Sequence, residues 1–271
     1  MIKAAVLGTP ITHSLSPFLH NRAYEILGID GDYTRIELDL PEFSNFLTGA
    51  MREDWTGFSL TMPLKEASFL PELDISLDPR AQKISSVNTL IRFGKSFRGI
   101  STDVLAFDRL LSSLTFSNVA IIGAGGTARA ALGALDGMVE HVNILRRTTS
   151  RDGTLEKCVD STSLRFLPMN SDLSQFGLVI STTPAGVTDS LAHAMTAANG
   201  TLIEVLYNPW PTQLSAKWIS LGGSVKHGLD LLVEQALDQI QLMTGASFDY
   251  ATMRAKLLEE VLAKQADTPK S

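Results

Sequence analysis

Two stretches of the chain carry residues whose types and spacing suit chemistry. The first is Gly57-Phe-Ser-Leu-Thr-Met-Pro-Leu-Lys65. Phe58, Leu60 and Met62 alternate with Ser59 and Thr61, the period-two pattern of a short buried strand. Proline has no N–H for a ladder, so the strand is expected to stop at Pro63. Lys65 then lies just past a C-terminal strand end, where open α/β sheets place their ligands. A lysine there is a proton donor or a solvated charge, and position alone does not choose. The second stretch, Gly123-Ala124-Gly125-Gly126-Thr127-Ala128, fits G-x-G-x-x-A between the apolar run Val119–Ile122 and an alanine-rich segment over 127–135. A tight turn at Gly123 and a bare backbone at Gly125 let a pyrophosphate reach a helix N-terminus. The alternative is a purely structural glycine turn.

The residues after the next strand choose the dinucleotide. An NAD site wants Asp or Glu there for the ribose 2′-hydroxyl. The chain instead reads Asn143-Ile-Leu-Arg146-Arg147-Thr148-Thr-Ser-Arg151, with no acid from His141 to Arg151. Arginines fork onto phosphate, so this cluster suits a 2′-phosphate, and the expected cofactor is NADP. A solvated basic turn is the alternative reading.

Elements must position these groups, and 271 residues are enough for two modest domains. Hydrophobic residues make up 44% and charged residues 19%, which argues against disorder. A net charge of −6 argues against a nucleic-acid surface, which needs a basic stripe. Cys158 is the only cysteine, so no intrachain disulfide can form. The N-terminal apolar run meets Gly8 and Pro10 too soon for a signal peptide, and no run approaches a membrane span. The expectation is a soluble cytoplasmic protein with no membrane or nucleic-acid partner and no metal, and the family resemblance given below adds a small-molecule substrate.

The apolar run over 3–7 reads as a buried strand ending at Gly8. Ser16 before Pro17 reads as a helix start with serine as N-cap, running to a stop at Gly28. A strand over 32–38, a helix over 41–51, a helical stretch over 63–73, a turn at Asp78-Pro79 and a hairpin across Gly94-Lys95 follow. A helix over 103–114 leads to the glycine-loop unit. Strands are expected over 142–145, 178–181 and 201–206, with a last one near Val225. Two helices follow Gly228, and a polar tail starts at Asp267. The fold class is α/β, with a mostly parallel βαβ first domain over 1–103 plus 229–271, which the family resemblance described below makes the substrate domain. A Rossmann-type NADP-binding domain spans 104–228, and the C-terminal helices return to the first domain.

Several pieces, in order, make the sequence resemble the shikimate dehydrogenases. They are Gly8-Thr-Pro-Ile-Thr-His-Ser-Leu-Ser-Pro17, Ser59-Leu-Thr-Met-Pro-Leu-Lys65, Val87-Asn-Thr89, Ser101-Thr-Asp103, the glycine loop, Tyr207-Asn-Pro-Trp-Pro and Gly228-Leu-Asp-Leu-Leu-Val-Glu-Gln235. The resemblance implies NADPH-dependent reduction of 3-dehydroshikimate to shikimate, a step of aromatic amino-acid biosynthesis. It implies that Lys65 and Asp103 are the catalytic pair and that Ser14 and Ser16 hold the substrate carboxylate. Ser59, Thr61, Asn88, Asp103, Tyr207 and Gln235 fall at further substrate positions. It also puts Thr183, Val205 and Gly228 beside the cofactor, and it leaves monomer and homodimer both open. From residue type alone, Gln235 also reads as the flank of a core helix, Tyr207 as a packing residue and His13 as a plain loop residue. Thr102 and Asp103 can cap the helix they open.

Three positions depart from the family pattern. Ser59 stands where asparagine is usual, Ser101-Thr-Asp-Val104 where Asn-Thr-Asp-Gly is usual, and the region around Pro79 lacks a common acid. A rival enzyme reading is a quinate/shikimate dehydrogenase using NAD, which the arginine cluster opposes. A rival from another class is a metabolite-sensing paralogue without turnover, which an intact Lys65–Asp103 pair opposes.

Overall fold

A computed structural model of the chain describes residues 1–70, 73 and 75–266. The helical stretch expected over 63–73 lies partly outside the described residues, and the tail expected from Asp267 lies wholly outside them. The chain forms two compact units, Met1–Leu105 with the segment that begins at Leu232, and Ala106–Leu231. Each is built on a six-stranded sheet with helices between its strands, so the α/β class is as expected.

The first unit contains β1 (Ile2–Gly8), α1 (Ser16–Leu27), β2 (Gly31–Glu37), α2 (Leu40–Ala50), β3 (Gly57–Leu60) and a 3₁₀ turn (Leu64–Phe69). It continues with β4 (Ile75–Leu77), α3 (Pro79–Lys83), β5 (Thr89–Phe93) and β6 (Ser96–Ile100). The strand order is β2-β1-β3-β5-β6-β4. β1 runs parallel to β2 and β3, while β5 is antiparallel to β3 and to β6. The short elements β4 and α3 were not legible, having three and five residues and no period to read.

Two boundaries are corrected. β3 ends at Leu60 rather than at Pro63, because its partner β1 ends at Gly8. There the two chains touch: a Cβ on Gly8 would lie 2.4 Å from Thr61 Cγ2. Met62 is consequently exposed and does not continue the apolar face. Ser16 is the first residue of α1 rather than its N-cap, a place taken by Leu15, which has no capping side chain. Ser14 Oγ accepts the Ser16 N–H at 3.3 Å, while Pro17 sits in the first turn and Gly28 closes the helix with φ 66°.

Alternation along β3 sorts the unit into two layers. Phe58 and Leu60 join Leu7, Phe43, Leu47, Leu64, Leu90 and Phe97 in an apolar core under α2 and the 3₁₀ turn. Ser59 points to the opposite face, where polar side chains are buried with it.

α4 (Thr102–Ser112) leads into the second unit. There β7 (Val119–Ile122), α5 (Gly126–Leu135), β8 (His141–Arg146), α6 (Asp152–Glu156), β9 (Ser163–Pro168) and β10 (Leu178–Ser181) are followed by α7 (Asp189–Ala194), β11 (Thr201–Glu204), α8 (Gln213–Ser220) and β12 (Ser224–Lys226). The order β12-β11-β10-β7-β8-β9 is parallel throughout, and it switches direction at β7 as a doubly wound sheet does. β7 and β10 are buried along their whole length, which is why their apolar runs were readable. α9 (Gly228–Thr244) and α10 (Tyr250–Ala266) follow, and from Leu232 on they belong to the first unit. There Arg22 of α1 pairs with Glu260 of α10 at 2.6 Å. Among the described residues no helix is long and apolar enough to cross a membrane.

Candidate active site

The first sheet brings four chain segments to one edge. β1 and β3 are parallel and end in register at Leu7 and Leu60, so the loop with Ser14 and Ser16 and the turn with Thr61 and Lys65 leave from the same side. β5 is antiparallel to β3, so Asn88, just ahead of it, lies at that edge, where Leu60 N–H donates to Asn88 O at 2.8 Å. β6 ends at Ile100, whose carbonyl takes the Asn88 N–H, and Thr102 and Asp103 open α4 immediately beyond.

Lys65 and Asp103 meet there, with Nζ 2.6 Å from Oδ2. Their side chains are only 18% and 7% exposed, so the pair is well shielded from screening by solvent. The other Asp103 oxygen, Oδ1, accepts from Asn88 Nδ2 at 2.9 Å. Asn88 itself is oriented by a group with no choice: the Thr102 backbone N–H donates to its Oδ1 at 2.7 Å, so Nδ2 must face Asp103. That same bond serves one of the orphan N–H groups at the start of α4. Nδ2 also reaches Thr102 Oγ1 at 2.8 Å and Gln235 Oε1 at 3.3 Å. Lys65, Asp103, Asn88 and Gln235 are thus joined directly.

Behind them lies a buried polar layer. Gln239, one turn beyond Gln235 on α9, contacts Ser59, Thr89 and His20. Ser59 Oγ donates to Gln239 Oε1 at 2.7 Å and accepts from Tyr33 OH at 2.5 Å. His20 is stacked on Tyr33 with centroids 3.9 Å apart, and burial holds its imidazole pKa down at about 3. Burial pushes the Tyr33 phenol the other way, above its ordinary value. Gln239, Thr89, Tyr33 and His20 were missed in the sequence, although the i, i+4 spacing from Gln235 to Gln239 was there to be used.

The remaining expected residues are placed less tightly. Ser16 is buried, Ser14 half-buried and His13 exposed. Arg35 pins the loop by donating from Nε and Nη2 to Ser14 O, at 3.1 and 2.6 Å. Thr61 N–H donates to Leu7 O at 2.9 Å, and the residue is half-buried. Tyr207 belongs to the second unit, just past β11.

In the second unit the glycine loop is built of backbone. Gly123 has φ 115°, and a Cβ there would sit 2.5 Å from Thr182 Oγ1, so only glycine fits. Gly125 is the N-cap of α5 in an extended conformation, and a Cβ there would meet nothing nearer than Arg151 Nη1 at 3.9 Å. The space beside it is open. The amides of Gly126, Thr127 and Ala128 precede the first ladder bond of the helix, Arg129 N–H to Gly125 O. Ala124 is half-buried and Ala128 fully buried. Thr183 Oγ1 is buried with no hydrogen-bond partner among the described residues, next to Gly123. Gly228 meets the end of β11 so closely that a Cβ would lie 2.4 Å from Val205 O. These features fit a dinucleotide phosphate at the helix N-terminus.

The arginine cluster divides. Arg147 and Thr148 are exposed, and Arg151 reaches Ala124 O at 3.3 Å. Arg146 instead gives its fork to Asp152, at 2.7 and 2.9 Å, with its guanidinium over the Phe166 ring. The acid that holds it lies one residue beyond the acid-free stretch.

Residues 6–90 match the family model of the shikimate dehydrogenase substrate binding domain. The NADP(+) shikimate dehydrogenase of Exiguobacterium sibiricum is 31% identical over 97% of this chain and 98% of its own. The chain belongs to the shikimate dehydrogenase family. The crystal structure of the Mycobacterium tuberculosis shikimate dehydrogenase superposes with a TM-score of 0.84, at 33% identity, covering 96% of this chain and 100% of that one. That of the Thermus thermophilus shikimate 5-dehydrogenase, in complex with NADP(H) and shikimate, gives 0.81 at 29% identity, covering 96% and 99%.

The departures from the shikimate dehydrogenase pattern now have surroundings. Ser59 gives its proton to Gln239, accepts from Tyr33 on one of its two lone pairs and is buried, so its hydroxyl is held within the protein. Ser101 and Val104 are buried, and Pro79 opens α3, whose N-cap Asp78 accepts the Arg80 N–H at 3.0 Å.

Proposed function

We propose that the chain interconverts 3-dehydroshikimate and shikimate with NADP(H), Lys65 passing the proton and Asp103 orienting it. The observation that carries the reading is the 2.6 Å Lys65–Asp103 pair, locked on its far side by Asn88. When bound, the cofactor supplies the hydride that reduces the C3 ketone. The oxygen left behind needs a proton, and Lys65 Nζ is the donor at hand. In the reverse direction the same amine takes the hydroxyl proton. Asp103 fixes where Nζ points, which is a matter of orientation. Ser14 and Ser16 hold the substrate carboxylate, and Thr61, Asn88 and Gln235 its hydroxyls. Residues 123–128 cradle the pyrophosphate, Arg147, Thr148 and Arg151 read the 2′-phosphate, and Thr183, Val205 and Gly228 line the rest of the cofactor site. Arg146 acts through Asp152 to hold this turn rather than as a phosphate ligand. The protein works in the cytoplasm as a monomer or homodimer. Absorbance at 340 nm with shikimate or quinate, each with NADP or NAD, tests the assignment. The shikimate–NADP pair should dominate, and an equal or faster quinate–NAD rate would overturn it.

A further inference from the structure

Gln239 is fully buried in α9 and makes four polar contacts inside the first unit. Its Nε2 lies 2.9 Å from Thr89 Oγ1 and 3.4 Å from Asn88 O, and its Oε1 lies 2.7 Å from Ser59 Oγ and 3.2 Å from His20 Nε2. The Asn88 carbonyl can only accept, so the amide nitrogen must be the end that faces it. The oxygen then faces His20, which must carry its proton on Nε2. The hydrogen bonds therefore run one way from Tyr33 to Ser59, Ser59 to Gln239 and Gln239 to Thr89, whose hydroxyl then meets Asn88 Oδ1 at 3.2 Å and Thr102 Oγ1 at 3.1 Å. Asn88 then donates to Asp103. Bonds aligned head to tail polarise one another, and each fixes the rotor of the next. Two amides interrupt the series, so it cannot pass a proton, and what it can do is hold geometry.

We propose that Gln239 is a positioning residue for the reaction. It fixes the Thr89 hydroxyl and the Asn88 backbone together, and so keeps the Asn88 amide against Asp103 and Lys65 in place. This inference rests on the reading of Lys65 and Asp103 given above. Without the Gln239 amide, Thr89, Asn88 O, Ser59 and His20 each lose a partner in a buried layer, and the segment must shift to repair them.

Gln239→Met keeps the helix and nearly the volume while removing the amide. The expected result is a fall in kcat of about 10- to 100-fold, since small misplacements at a catalytic pair cost that much. KM for NADP should move less than about threefold, and KM for shikimate should rise by less than kcat falls, because Asn88, which also meets the substrate, is shifted and not removed. Thr89→Val should behave alike, and the double variant should be no slower than the slower single one, because the two residues act as one unit. Independently of turnover, hydrogen exchange of the Asn88 side-chain amide, read by NMR, should quicken in Gln239→Met. A folded Gln239→Met with wild-type kcat, a loss confined to KM, or multiplying effects in the double variant would overturn the proposal. If Gln239→Met does not fold, Thr89→Val carries the same test. If the wild type turns over no substrate, the functional reading fails. Unchanged Asn88 exchange would then sink the positioning role, and quickened exchange would sustain it.

Discussion

The two sheets present their C-terminal edges to chemistry in opposite ways. The first unit's edge is made of side chains: an ammonium, a carboxylate and two amides, each held by a partner behind it. The second unit's edge is made of backbone and open space, with a glycine where any side chain would collide and another where a side chain would meet only solvent-side arginine. Each site therefore feels a different kind of change. Truncating side chains should disable the first, whereas the phosphate cradle of the second should be disabled by adding a Cβ to its glycines.

Gly125→Val separates the two sites most cleanly, because the backbone there is extended and a Cβ meets nothing nearer than Arg151 Nη1 at 3.9 Å. The protein should fold as before, yet NADP should bind worse by roughly 5- to 150-fold, the value of an overpacking cost of about 1–3 kcal/mol. Titration by calorimetry checks this, and shikimate affinity should stay as it was. Gly123→Ala serves as the contrast, since its φ of 115° and the 2.5 Å approach to Thr182 should lower the melting temperature instead.

A smaller effect probes the layer behind the first edge. His20 has its pKa lowered from 6.5 to about 3 by burial, so it stays neutral in the fold while the unfolded chain takes up a proton. Its contribution to stability is therefore intact above about pH 6.5 and drains away as pH falls towards 3. At pH 5 the loss should be about 2 kcal/mol relative to pH 7.5. Urea unfolding of wild type and His20→Phe at both pH values reads it, because the variant's difference from wild type should shrink by that amount at pH 5.

Much of this was legible in the sequence where a local rule had one answer. The period-two run before Lys65, the glycine loop with its flanking strand and helix, and the acid-free turn all pointed to elements the structure contains. What escaped depended on contacts distant in sequence. Ser59 could be read as a substrate contact because nothing local shows that Tyr33 and Gln239, 26 and 180 residues away, take its hydroxyl. Arg146 looked like its neighbours until Asp152 was seen to hold both ends of its fork. β9 was missed because its burial alternates at the sheet's margin, unlike the solid apolar runs of β7 and β10.

The most direct test of the account is Lys65→Ala, with turnover and shikimate binding measured on the same preparation. Removing the proposed proton donor should cut kcat by about 100- to 10,000-fold, the usual contribution of a placed general acid. The dissociation constant for shikimate should change only a few-fold, since Asn88, Gln235 and the Ser14–Ser16 loop remain. Near-wild-type turnover in the folded variant would contradict the account, and so would a loss explained by binding alone.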